Sequence, residues 1–172
     1  MGYRLALIAV LLAGPAAAQE PEPKHQEFEA GGGIWFVNPL GVYDFVQHQD
    51  GSAHFGWTNW YTDRSGVTFG VEAIPFVGVR ESALYGHITW RRRWFHSGGN
   101  FTHLGVGGGP TLWIYRYYDG TGRDLHASAL YHVEVLHTRR NIRDGLSLRA
   151  GVRFTPLLHI PLIVQPTVML VW

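Results

Sequence analysis

The sequence predicts an all-β chain closed into an eight-stranded antiparallel up-and-down transmembrane β-barrel. Three observations carry that prediction. From Phe28 to Trp172 the 172-residue chain breaks into eight segments, most of them about ten residues or more, separated by turn residues. Within these segments polar and apolar residues alternate with a period of two. Glycine (22) and aromatic residues (7 Trp, 8 Tyr, 9 Phe) are abundant while cysteine is absent, a composition that suits barrels and leaves no disulfide to hold the fold.

Residues 1–18 read as a secretory signal peptide. Arg4 supplies a positive start, Leu5 to Ala13 an apolar run, and Ala16-Ala17-Ala18 the small residues before a cut placed between Ala18 and Gln19. The run is too short to remain as a membrane-spanning helix. Cleavage takes one of the 14 basic residues and none of the 13 acidic ones. The resulting balance gives no electrostatic footprint for nucleic acid. Residues 19–27, polar and proline-containing, are expected to form a periplasmic tail. Residues 28–172 form the barrel domain.

The eight strands are expected over 28–37, 53–62, 67–78, 83–95, 101–116, 125–138, 146–155 and 162–172. Asp63 to Gly66, Ser97 to Asn100 and Arg139 to Asp144 are tight and polar, as periplasmic turns are. The remaining connections, 38–52, 79–82, 117–124 and 156–161, are the outer loops. In the fourth segment Leu84, Gly86, Ile88 and Trp90 share one face, against Tyr85, His87, Thr89, Arg91 and Arg93. In the sixth, Ala129, Tyr131, Val133 and Val135 oppose His126, Ser128, His132 and Glu134. In the seventh, Leu148, Ala150, Val152 and Phe154 oppose Ser147, Arg149, Arg153 and Thr155. Alternation alone does not say which face is inside. A soluble barrel around an apolar ligand, in the manner of a lipocalin, would show the same period.

Centring each hairpin on its turn gives approximate registers. Arg91 falls beside Gly105, Thr89 beside Gly107, and Glu134 near Gly105. Glu134 falls opposite Arg149, and Glu72 opposite Thr89. The glycines leave room for long polar side chains, so an interior network of Glu72, Arg91, Glu134 and Arg149 is expected, with Arg93 and Arg153 nearby. Four arginines to two glutamates would leave the lumen positive. An eight-stranded barrel is just wide enough for side chains to fill it, so the network reads first as a plug and second as a narrow conduit. His54, His87 and His126 are expected to face inward near the outer mouth. Their spacing matches no metal-ligand pattern, so neither a metal nor a cofactor is expected.

The final strand ends Val168-x-Leu170-x-Trp172. This resembles the C-terminal signal of outer-membrane barrel proteins, with Pro166 as a departure. With the strand count and the alternation, the chain resembles the outer-membrane protein A-like eight-stranded barrel superfamily. The resemblance implies residence in a bacterial outer membrane, contact with its lipid, assembly by the outer-membrane insertion machinery, and a non-enzymatic structural or interaction role; a monomer is expected. One enzymatic alternative is weighed. His126-Ala127-Ser128 with Glu134 is similar to the His-x-Ser and carboxylate of the lipid A deacylases, a set suited to ester hydrolysis. In that family the acid comes from a neighbouring strand, and an Asn stands where this chain has Ala129.

Overall fold

A computed structural model describes residues 25–37, 48–75, 81–116, 122–143, 145–156 and 163–172. The expected signal peptide, the first part of the tail and most of the expected outer loops lie outside these residues. The strands are β1 (His25–Val37), β2 (His48–Trp60), β3 (Ser65–Pro75), β4 (Glu81–Phe95), β5 (Phe101–Arg116), β6 (Arg123–Arg143), β7 (Leu146–Thr155) and β8 (Ile163–Val171). Each pairs antiparallel with its sequence neighbour, and β1 pairs with β8, so the sheet closes into a barrel. Closure leaves the barrel no long free edge, which is what lets a sheet stand without a second layer. At the seam Phe28 and Trp172 exchange backbone hydrogen bonds of 2.9 and 3.0 Å, and their rings stack at 6.4 Å. The end of the barrel carrying both chain ends and the tight connections is called the turn end, and the opposite one the loop end.

Four expectations are corrected. β1 begins at His25, not residue 28, so the last three residues assigned to the tail are wall. Glu27 alternates in step with Glu29, and arginines inside donate to both carboxylates. β2 begins at His48, five residues before the expected start, while the expected last residues of β3, 76–78, lie outside the described residues. Arg139 to Arg143 is strand rather than turn. Between the pairs Arg139↔Leu148 and Arg143↔Leu146 the register shifts, and the chain reverses beside Gly145, whose φ of 83° suits glycine. Finally, Glu134 faces Arg153 and Arg149 faces Thr138, while Glu72 faces Tyr85 and Thr89 faces Thr68.

The faces nevertheless hold. Arg153 lies four residues beyond Arg149, and Tyr85 four before Thr89. A slip by an even number of residues changes partners but not the side of the sheet. The pairs of Arg91 with Gly105, Thr89 with Gly107 and Glu134 with Gly105 are as centred. All the buried charges therefore face the lumen, and the large side chains exposed on the wall are apolar. Arg91, Arg149, Glu29, Glu72 and Glu134 are fully buried, whereas Ile88, Tyr131 and Val168 are 56, 63 and 54 % exposed. A soluble barrel holding an apolar ligand has the opposite arrangement.

Candidate functional site

The lumen has three layers. At its centre, glutamates and arginines alternate across the barrel. Glu27 on β1 accepts from Arg149 Nη2 at 2.8 Å and, more distantly, from Arg93 Nη1 at 3.4 Å. Arg149 on β7 also donates through Nη1 to Glu29 and through Nε to Thr138 Oγ1 at 2.9 Å. Glu29 takes a two-pronged grip from Arg91 on β4, at 2.7 and 2.9 Å, the fork geometry that makes arginine–carboxylate pairs strong. Arg91 Nε donates to Glu134 on β6 at 2.6 Å. Glu134 in turn receives Arg153 Nη2 at 3.0 Å, and Arg153 Nη1 reaches Glu72 at 2.8 Å. Glu72 also accepts from Trp35 Nε1 at 2.9 Å and from Gln165.

The six residues singled out from the sequence, Glu72, Arg91, Arg93, Glu134, Arg149 and Arg153, thus lie in one connected set. Sequence reasoning missed its hub. Glu29 joins Arg91 to Arg149, and Glu27 joins Arg149 to Arg93. These two glutamates match the four arginines of the network to four carboxylates, and Asp50 is a further buried acid, so the expected positive lumen is corrected to one without excess positive charge. The missing signal was present: Glu27 and Glu29 sit two apart, immediately before Gly31-Gly32-Gly33, on the face that continues to Trp35. Balance matters because an unpaired charge in a low-dielectric interior costs several kcal/mol, of the order of 3–5 when one partner is removed.

Toward the loop end the charges give way to histidines and then to apolar side chains. His54 Nε2 lies 3.0 Å from Glu29. His132 bridges Tyr85 OH at 2.7 Å and Thr89 Oγ1 at 2.9 Å, and His87 Nδ1 meets the same threonine oxygen at 2.9 Å. Trp35, Ile74, Ala83, Tyr85, Leu130 and Ile163 pack together above them. At the turn end Trp60 and Phe101 meet edge to face at 6.3 Å, with the Arg93 guanidinium 4.1 Å from the Trp60 ring. His54 and His87 are buried as expected, but His126 is exposed; it stands near the loop-end start of β6, further out than buried Leu130 and His132. Among the described residues no group of three histidine or acidic side chains has the geometry to hold a metal.

The hydrolase constellation is not assembled. Ser128 Oγ accepts a 2.8 Å hydrogen bond from Trp113 Nε1 across the β5–β6 hairpin. Glu134 lies six residues further along the strand, roughly 20 Å away at the strand rise, and its carboxylate is occupied by Arg91 and Arg153. Among the described residues no hydrogen bond joins His126, Ser128 and Glu134. Ser128→Ala is expected to leave the mass spectrum of lipid A unchanged on overexpression, and to cost about 1 kcal/mol through the lost indole bond. A lipid A species that vanishes with this substitution would restore the enzymatic alternative.

Val168, Leu170 and Trp172 line the outer face of β8, between 42 and 54 % exposed, with Pro166 outward beside them. Buried Gln165, Thr167 and Met169 alternate with them.

No protein-family model and no curated protein matches the chain. Solved structures do. Neisserial surface protein A superposes with a TM-score of 0.71 at 8% sequence identity, covering 87% of this chain and 98% of that one. Ail, the attachment invasion locus protein of Yersinia pestis, superposes with a TM-score of 0.55 at 11% identity, covering 87% and 97%. At such identities the likeness is one of fold: the closed eight-stranded antiparallel barrel of small outer-membrane proteins.

Proposed function

We propose that the chain is a non-enzymatic integral barrel of the bacterial outer membrane, with a closed polar lumen and a structural or interaction role. The observation that supports this most directly is the inverted burial. Arginines and glutamates are sealed inside, and the outer wall is a band of Phe55, Phe69, Ile88, Val106, Val135 and Leu170 that only lipid can cover without cost. Aromatic residues at the turn end, Tyr61, Trp94, Phe95 and Trp172, are exposed, as an interfacial girdle requires. Extraction is expected to need detergent, and the folded barrel should migrate differently on a gel before and after boiling. Release in soluble form by alkaline carbonate would overturn the membrane reading.

The lumen acts as a plug. A permeating ion would have to separate a chain of paired charges and then pass the apolar layer around Trp35 and Ile74. Planar-bilayer recordings are expected to show no unitary events at any voltage, and steady channels would refute the plug. Val168, Leu170 and Trp172 are proposed as the segment read by the insertion machinery. Removing Trp172 deletes the seam bonds to Phe28 as well as that signal, so the yield of heat-modifiable barrel should fall severalfold. The barrel closes on itself within one chain, which supports a monomer.

A further inference from the structure

The turn end of the barrel opens into a pocket of about 290 Å3, lined by Arg93 and Arg140 together with His25, Trp60, Asp63 and Phe95. We infer that this pocket binds a phosphate group, held between the guanidinium groups of Arg93 and Arg140. Three guanidinium carbons surround one ring: those of Arg93, Arg140 and Arg149 lie 5.2, 5.4 and 5.9 Å from the centre of Phe101. Glu27 is divided between Arg149 and Arg93, and Glu29 takes the other arm of Arg149. Among the described residues no carboxylate forms an ion pair with Arg140. Arg140 is the guanidinium of the three left without a carboxylate among the described residues, and an anion in the pocket would pair it while bridging to Arg93.

The donors for it are in place. Arg93 spends Nε on the backbone carbonyl of Asp63, at 2.5 Å, and Nη1 on the 3.4 Å contact with Glu27. Arg140 anchors its strand by donating its backbone N–H to Asn100 Oδ1 at 3.1 Å, a bond that does not involve its guanidinium. The two guanidiniums come from different strands, β4 and β6. Inorganic phosphate can offer a separate pair of oxygens to each fork, and the phosphodiester of a lipid headgroup one non-bridging oxygen to each. The Asp63 side chain is the opposing charge on the wall and weakens the site. Phe95, 45 % exposed in the same wall, sets the mouth at the level of the aromatic girdle, where lipid headgroups lie. Only this choice of source rests on the membrane reading.

The test is a titration of the barrel in maltoside micelles, which contain no phosphate, followed through the Nε–Hε resonances of Arg93 and Arg140. One arm adds inorganic phosphate and the other a dihexanoyl phosphatidylglycerol below its micelle concentration. Saturable shifts of both arginines are expected, with the lipid binding more tightly. Equal affinity in the two arms would assign the site to free phosphate, and binding of the lipid alone to a headgroup. Arg140→Gln, whose backbone bond to Asn100 is retained, should weaken binding at least tenfold with the heat-modifiable band intact. Asp63→Asn should tighten it. The absence of a saturable shift in both arms, or unchanged affinity in Arg140→Gln, overturns the site while leaving the membrane reading untouched.

Discussion

Glu29→Ala is expected to destabilise the barrel by about 3–5 kcal/mol, the cost of stranding a buried charge, or to prevent its assembly. The substitution strips Arg91 of a two-pronged partner and Arg149 of one of its two carboxylates. Neither guanidinium reaches water, since both are fully buried. His54 loses its contact with the carboxylate as well. Urea unfolding of the heat-modifiable form measures the effect. Where the alanine variant yields no folded barrel, Glu29→Gln keeps the volume and isolates the charge; it should still lose well over 1 kcal/mol. A change below that size in the glutamine variant would mean that the central chain of ion pairs does not bear on stability.

The second large effect separates two glycines on neighbouring strands. Gly105 faces the lumen, where a Cβ would stand 2.6 Å from Glu134 Cγ and 2.7 Å from its Oε1. Gly86 faces outward, where a Cβ meets nothing within 4 Å. Gly105→Val must therefore push the Glu134 carboxylate off Arg91 and Arg153. Overpacking of about 1–3 kcal/mol then adds to the loss of a buried pair, and folded barrel should be nearly absent. Gly86→Val meets no steric conflict, adds a β-branched residue to a strand, and should fold at the level of the parent chain. Comparable yields from the two variants would show that the glycine does not make room for Glu134.

Much of the barrel is legible in the sequence because period-two alternation needs no knowledge of partners. The inward positions of Arg91, Glu134, Arg149 and Arg153 follow from strand parity. The final strand reads the same way, with Val168, Leu170 and Trp172 on one face. The start of β1 did not read so clearly. Glu27 looks like part of a polar tail until arginines from β4 and β7 are seen to receive it. The same blindness hid Glu29, in a strand that proceeds through three glycines and offers little hydrophobic contrast. His126 and Ser128 illustrate the converse error. Their spacing suggests chemistry, but His126 is exposed near the loop-end start of β6 and Ser128 is held by Trp113.

The sequence by itself determined the number of strands, the two faces of most of them and the mixture of charges on one face, because these depend on local alternation and turn residues. Only the tertiary structure decided which charge meets which. Partner choice depends on register, and the pairings of Glu72 with Tyr85 and of Glu134 with Arg153 lie four residues from those that centring on the turns suggests. It also decided the sign of the lumen. Closure brings β1 beside β8, and across the barrel from β4, and so delivers Glu27 and Glu29 to arginines more than sixty residues away. That gives every arginine of the network a carboxylate partner, in a sequence whose recognised lumen residues alone left it positive.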